Sequence, residues 1–359
     1  MRQVTPMVLI EHLRRDLKHG AYPVYIWGAP GVGKSTIVND VGRELGLEVV
    51  CLSVALEHPY TLGGLPVVLW KERQVEKLPP SYIKRLKEGI LFLDDFAASD
   101  PAQQRVALTL TTYRRVGDFS LPPGVRVVFA SNRIEDSSHV IRPSMAVLNR
   151  VKHYLLVPNL VDFAQYLLGH SATDVTVYPW GEKVHSILAD LLIAFLRVQP
   201  KYFFMQPSQV DSGVVYPTPR SWFNALVDLS WAIAEWGTDI PIRGKETDIE
   251  IILSGWVGEA AAKFLPFLTW DVRDAAEQCL KSPSFIKSLA IPQQIALMLY
   301  LASQHPSSIT GLVKHLDAEV AAFIAHLVKE SDLGGQEKAA LVVKAFTKTK
   351  KEGKKHANG

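Results

Sequence analysis

The segment Gly28-Ala29-Pro30-Gly31-Val32-Gly33-Lys34-Ser35-Thr36 lies between two runs of different periodicity. Before it, Tyr22 to Trp27 is a short β-branched and aromatic run, which predicts a strand. After it, Lys34 to Leu45 alternates with helical spacing and closes at Gly46. A strand, a glycine-rich turn and a helix in that order form a concave ring of backbone N–H groups. That ring curls round phosphate oxygens, and the positive end of the helix dipole adds to the attraction. In the G-x4-G-K-S spacing the lysine, Lys34, reaches β- and γ-phosphates, and the hydroxyl of Ser35 ligates Mg²⁺. Residues 28–36 are therefore the expected contacts of a nucleotide.

Working outward, four more apolar runs read as strands: Glu48 to Ala55, Ile90 to Leu93, Val125 to Ala130 and Val151 to Val157. Helical patterns separate most of them, which predicts a five-stranded parallel sheet covered on both faces, an α/β fold. Two of these strands end in polar residues. Ile90-Leu91-Phe92-Leu93 runs into Asp94 and Asp95, which places two carboxylates at the carboxyl end of a buried strand, where open α/β sheets bind ligands. Asp94 is expected to hold Mg²⁺ through water, and Asp95 to orient or deprotonate an attacking water. Val127 to Ser131 ends at Asn132, whose amide can bond both a γ-phosphate and that water.

The character of the chain changes after Pro158. Met7 to His19 near the start, then Leu160 to His170, Val184 to Val198, Arg220 to Trp236 and Thr247 to Leu265, read as helices. From Val272 onward the pattern is helical throughout, with Pro292 and Pro306 as boundaries. The expected division is a nucleotide-binding core over 1–157, a helical lid over 158–268, a helical extension over 269–346 and a basic tail over 347–359.

Composition narrows the class. A length of 359 residues suggests two or three domains at roughly 150 residues each. Hydrophobic residues at 48% and charged residues at 21% exclude a chain disordered throughout. Cys51 and Cys279 form no CxxC pair, which excludes a disulfide scaffold or a cysteine zinc knuckle and suits a reducing cytoplasm. The first apolar run is broken by Glu11 and His12, unlike a signal peptide, and no stretch approaches 18 uninterrupted apolar residues, so no membrane span is expected. The net charge of +3 is a property of the tail: residues 347–359 carry five lysines and Glu352, and the rest of the chain sums to −1. The tail reads as a solvated end that aids solubility. Eleven histidines are scattered without an HExxH pattern, and His139 and His153 read as structural.

Several stretches together resemble the MoxR-like group of the AAA+ ATPases: GAPGVGKST, LGGLPVV, LPPSYIKRLKEGILFLDDF, RRVGDFSLPPGVRVVFASN, VLNRVKHY and PTPRSW. The resemblance spans about residues 5–265. It implies ATP/ADP and Mg²⁺ as ligands, a five-stranded sheet with a helical lid, and assembly into rings, commonly hexamers. It also implies a protein partner, typically one with a von Willebrand factor A (VWA) domain. Asn132 then matches the sensor-1 position, Arg150 in VLNRV the arginine finger, and Arg220 in TPRSW the sensor-2 arginine. Residues 60–80 resemble the insert in the family's second helix, with Gly63-Gly64 at a turn, and residues 114–126, with Arg114 and Arg115, the hairpin before sensor 1. Plain connecting loops are the alternative for both. The sequence departs from the pattern at Asp95, where most relatives carry Glu, and at Arg133, where Pro is usual. Two other readings stay open: a DNA-acting motor or loader, which the basic tail favours and the slightly acidic body opposes, and a nucleotide-gated scaffold with little turnover.

Overall fold

The computed structural model describes residues 1–20, 22–136, 140–172, 184–211, 213–317 and 319–324. His139 and the basic tail lie outside them. The described chain forms two compact units, one of Met1–Pro158 with Gln206–Gln209, the other of Asn159–Met205 and the chain from Val210 onward.

The first unit is an α/β layer structure. Its elements run β1 (Gln3–Val4), α1 (Pro6–His19), β2 (Val24–Trp27), α2 (Lys34–Glu44), β3 (Glu48–Ser53), α3 (Pro59–Gly63), β4 (Leu65–Leu69) and β5 (Gln74–Leu78). They continue through α4 (Ser81–Arg85), β6 (Glu88–Asp94), α5 (Pro101–Tyr113), β7 (Arg115–Val116), β8 (Phe119–Ser120), β9 (Gly124–Ser131), α6 (Met145–Leu148) and β10 (Lys152–Leu156). The sheet is parallel in every pairing, in the order β1-β10-β2-β9-β6-β3. It has six strands where the sequence predicted five. The extra strand, Gln3–Val4, is two residues long, too short for any alternation to show, and exists only by pairing with Leu155 and Leu156 of β10.

Near-continuous apolar runs are what a sheet covered on both faces demands. Val24–Trp27 is buried throughout, and Ile90 to Leu93 are fully buried. On one face Tyr25 stacks on Trp27 at 4.2 Å and on Phe129 at 5.7 Å, and Phe96 meets Phe129 edge-on at 5.0 Å. This aromatic layer joins Ala107 and Leu110 of α5 and Val147 of α6 in one core. Ile37, Val38 and Val41 are the buried apolar side chains of α2, which packs on β3 and β6.

Both stretches that resemble family inserts contain antiparallel hairpins. β4 pairs with β5 after the short helix α3, and β7 pairs with β8. Two hydrogen bonds clasp them together: the Asp118 amide donates to the Lys77 carbonyl at 3.0 Å, and the Lys77 amide to the Asp118 carboxylate at 2.8 Å. The outward face of the β4–β5 hairpin carries exposed Val68, Trp70 and Val75.

The second unit is mostly helical: α7 (Leu160–Gly169), a short parallel pair β11 (Ser171–Ala172) and β12 (Val184–His185), then α8 (Ser186–Val198), α9 (Pro219–Trp236), α10 (Glu246–Val257), α11 (Ala260–Leu268), α12 (Val272–Lys281), α13 (Ile291–Gln304) and α14 (Ile309–Leu312). Every residue of α8 from Ile187 to Leu196 is buried, as befits a helix surrounded by others. It packs against α7, α9, α11 and α13, so helices before and after Leu268 share one core. Asp190 lies within that run, and burial pushes its carboxyl well above the usual carboxylate range. The stretch Thr247 to Leu265, expected as one helix, is two, because Gly258 breaks it with a positive φ of 59°. Val184 and His185, expected at a helix start, instead form a strand that pairs with Ser171–Ala172.

Candidate nucleotide-binding site

The turn after β2 is built by glycines in backbone conformations that side chains disfavour. Gly31 has φ +76° and Gly33 +96°, and Gly33 caps the N-terminus of α2. The first residue of the turn, Gly28, donates its amide to the carbonyl of Ser131 at the tip of β9, at 3.2 Å. The glycine turn is therefore tied to the neighbouring strand end from its outset.

Four of the predicted side chains, in two bonded pairs, meet beside this turn. Lys34 is buried, and its ammonium donates to the carbonyls of Gly28 (2.9 Å) and Ala29 (3.0 Å) and to Oδ1 of Asn132 (2.8 Å). Residues 98 positions apart thus meet because β2 and β9 are adjacent in the sheet. Ser35, at the second position of α2, donates its hydroxyl to Oδ2 of Asp94 at 2.5 Å. The other carboxylate oxygen of Asp94 accepts the amide of Asp95 at 3.0 Å. Asp95 itself sits half-buried in a left-handed conformation, φ +51°. For a residue other than glycine this is sparsely populated, and such strain gathers at functional sites. The acidic pair is felt by its neighbours: burial first, then Asp94 and Asp95, push the Cys51 thiol on β3 up to about 11.

Ser35 and Asp94 offer a hydroxyl and a carboxylate oxygen a single hydrogen bond apart beside the glycine turn. Oxygen donors few in number, leaving room for phosphates and waters, are the set that suits Mg²⁺. Pro30 is half-buried, Val32 is buried, and Thr36 is exposed on the first turn of α2.

The two candidate arginines sit just past α6 and on α9. Arg150 is exposed just after α6, with one guanidinium N–H on the Ala146 carbonyl at 2.6 Å. Arg220 is exposed at the second position of α9, in the helical unit, after a capping box formed by Thr218 and Ser221. His153 is structural, as expected: it accepts from the Trp27 indole at 3.0 Å and reaches the Leu148 carbonyl at 2.8 Å. Arg133 forms a two-pronged pair with the buried carboxylate of Asp136, at 2.5 and 2.6 Å. Ser131, which no motif singled out, proves to be bonded to several elements of this site.

Residues 24–159 match the family model described as ATPase family associated with various cellular activities, AAA. That stretch of the chain is similar to an AAA ATPase domain. ATP hydrolysis is the chemistry of that class, and the glycine turn, Lys34, Ser35, Asp94 and Asn132 all fall within the matched segment. No curated protein matches the chain. Similar solved structures include a RuvB mutant from Thermotoga maritima, at 12% identity over 76% of this chain and 74% of that one, TM-score 0.37. Another is NtrX from Brucella abortus in complex with ATP, at 14% identity over 91% of this chain and 69% of that one, TM-score 0.40. No helix among the described residues is long and apolar enough to cross a membrane.

Proposed function

We propose that the chain is a ring-forming, MoxR-like, cytoplasmic AAA+ ATPase that couples Mg-ATP binding and hydrolysis to the remodelling of a protein partner. The observation that carries this reading is the connected set Lys34–Asn132 and Ser35–Asp94 around one glycine turn. Phosphates displace the carbonyls that now hold Lys34, and the amide N–H groups of residues 29–36 and the α2 dipole take the negative charge. Ser35 and Asp94 would hold Mg²⁺, which when bound would neutralise phosphate charge. With its oxygen turned to Lys34, Asn132 presents its –NH2 to the γ-phosphate. Asp95 orients the attacking water and accepts its proton.

Proteins of this class typically assemble into rings. Arg150 is exposed, with its guanidinium on the Ala146 carbonyl, which suits an arginine supplied to a neighbour's nucleotide in a hexamer. Arg220 serves as the lid's phosphate sensor, a task for which a forked guanidinium is suited. The exposed Val68, Trp70 and Val75 of the β4–β5 hairpin are the surface offered to a partner, of which a VWA-domain protein is the type this reading favours. The test is complementation. Arg150→Ala should bind ATP and lose ~10³-fold or more in turnover. Mixing it with an Asp94→Asn, Asp95→Asn double mutant should restore part of the activity, because mixed rings contain sites with both an intact pocket and an intact arginine. No recovery from a mixture shown by sizing to co-assemble would refute the shared site.

A further inference from the structure

The last residue of β9, Ser131, is 1% exposed, and its hydroxyl is fully engaged. It lies 2.8 Å from the amide of Ala97, 2.8 Å from the Tyr25 hydroxyl and 2.8 Å from the Ala130 carbonyl. The directions of these bonds follow from chemistry. An amide can only donate and a carbonyl can only accept, so the serine proton goes to Ala130 and both serine lone pairs receive, one from Ala97 and one from Tyr25. Burial holds the Tyr25 phenol well above its usual pKa, which keeps it a donor.

The position of Ala97 gives this cluster its consequence. Phe96–Ala98 is a single 3-10 turn whose first flanking residue is Asp95, in its left-handed conformation. The Ser131 hydroxyl therefore pins the turn two residues past the carboxylate that acts on water. Through its own carbonyl the same residue holds the amide of Gly28 at the start of the glycine turn, and its neighbour Asn132 holds Lys34. Three chain segments distant in sequence take their spacing from one residue.

We propose that Ser131 is a positioning residue for hydrolysis, fixing the Asp95 carboxylate relative to the phosphate-binding turn. This rests on the reading of Asp95 as the residue that orients water. Without the hydroxyl, the Ala97 amide loses its acceptor and the turn shifts. Misplacement on the scale of 1 Å costs about 10²-fold in rate, while the groups that grip phosphate keep their places.

The experiment uses the full chain and four variants: Ser131→Ala, the nearly isosteric Ser131→Cys, Tyr25→Phe and Asp95→Asn. Affinity is read with a fluorescent ADP analogue, and kcat from steady-state phosphate release. Ser131→Ala should bind the analogue within ~3-fold of wild type and lose ~10- to 100-fold in kcat, with Ser131→Cys between the two. Tyr25→Phe removes a buried hydrogen bond from the same serine but leaves the Ala97 contact, so its kcat should stay within ~3-fold of wild type. Ser131→Ala added to Asp95→Asn should cost nothing further. Equal losses in Ser131→Ala and Tyr25→Phe, or parallel losses of affinity and rate, would reduce Ser131 to a structural role and overturn the proposal. Should Ser131→Ala fail to fold, a Ser131→Cys enzyme with wild-type kcat overturns it equally. If Asp95→Asn itself turns over like wild type, the reading of Asp95 fails. An inactive Asp95→Asn beside a fully active Ser131→Ala would sink the positioning role alone.

Discussion

Replacing Asn132 by alanine isolates one contact of the site. The Lys34 ammonium donates to two carbonyls of its own turn at 2.9 and 3.0 Å and to the amide oxygen of Asn132 at 2.8 Å. Asn132 reaches it from a different strand end. A hydrogen bond from a charged donor contributes ~1.5–3 kcal/mol net. In the proposed reading, the two carbonyls give way to phosphate oxygens when ATP binds, and Asn132 stays to orient both Lys34 and the γ-phosphate. If that contribution is realised mainly in the transition state, its loss lowers kcat by ~10- to 150-fold at 1.36 kcal/mol per decade. Ground-state affinity depends on the glycine-turn amides, Lys34 and Ser35, all intact in the variant, so ADP binding should change by no more than ~5-fold. Single-turnover phosphate release and titration with a fluorescent nucleotide separate the two quantities. Turnover within 2-fold of wild type would refute the assignment of Asn132, and a loss of binding as large as the loss of rate would move its role to the ground state.

Two predictions concern the helical unit. His185 is 4% exposed, beside Asp239 at 3.3 Å and near Arg273. Burial, the largest cause, lowers its pKa, Arg273 adds to the shift, and Asp239 offsets part of it. A histidine lowered in the fold binds its proton more readily when unfolded, so its contribution is intact above the unfolded value of ~6.5 and is lost as pH falls below it. Melting temperature should therefore drop between pH 7.5 and 5.5, and His185→Gln should flatten that dependence; an unchanged slope would show that other groups set it. Phe264 is fully buried, edge-on to Trp222 at 5.6 Å; Phe264→Ala should cost ~3–5 kcal/mol in urea unfolding, and a cost below ~1 kcal/mol would contradict the packing described.

Much of the site was legible because its chemistry depends on residues close together in sequence. Gly28 to Ser35 announces its own backbone, and two acids at the end of an apolar run announce a strand tip. The pairing of Lys34 with Asn132 could be expected only as far as strand order could be, since the contact exists through the adjacency of β2 and β9. Ser131 was invisible: one serine after an apolar run looks like any other, and its partners Tyr25 and Ala97 are 106 and 34 positions away. The sixth strand was missed because two residues show no periodicity. The inserts were expected only as inserts or loops, since Leu65 to Leu78 mixes apolar and charged residues on a ribbon with little core of its own.

The central claim is that this glycine turn and acidic strand tip hydrolyse ATP, with Asp95 placing the water. Steady-state phosphate release by the purified full chain and its Asp95→Asn and Asp95→Glu variants tests it most directly, with nucleotide affinity measured alongside. Aspartate is one methylene shorter than the glutamate that the resemblance leads one to expect there, so a wild-type rate well below ~10 s⁻¹ is predicted. Asp95→Asn should bind ATP like wild type yet fall ~10²-fold or more in rate, and Asp95→Glu should retain or gain activity. An Asp95→Asn protein that hydrolyses ATP as fast as wild type would contradict the account.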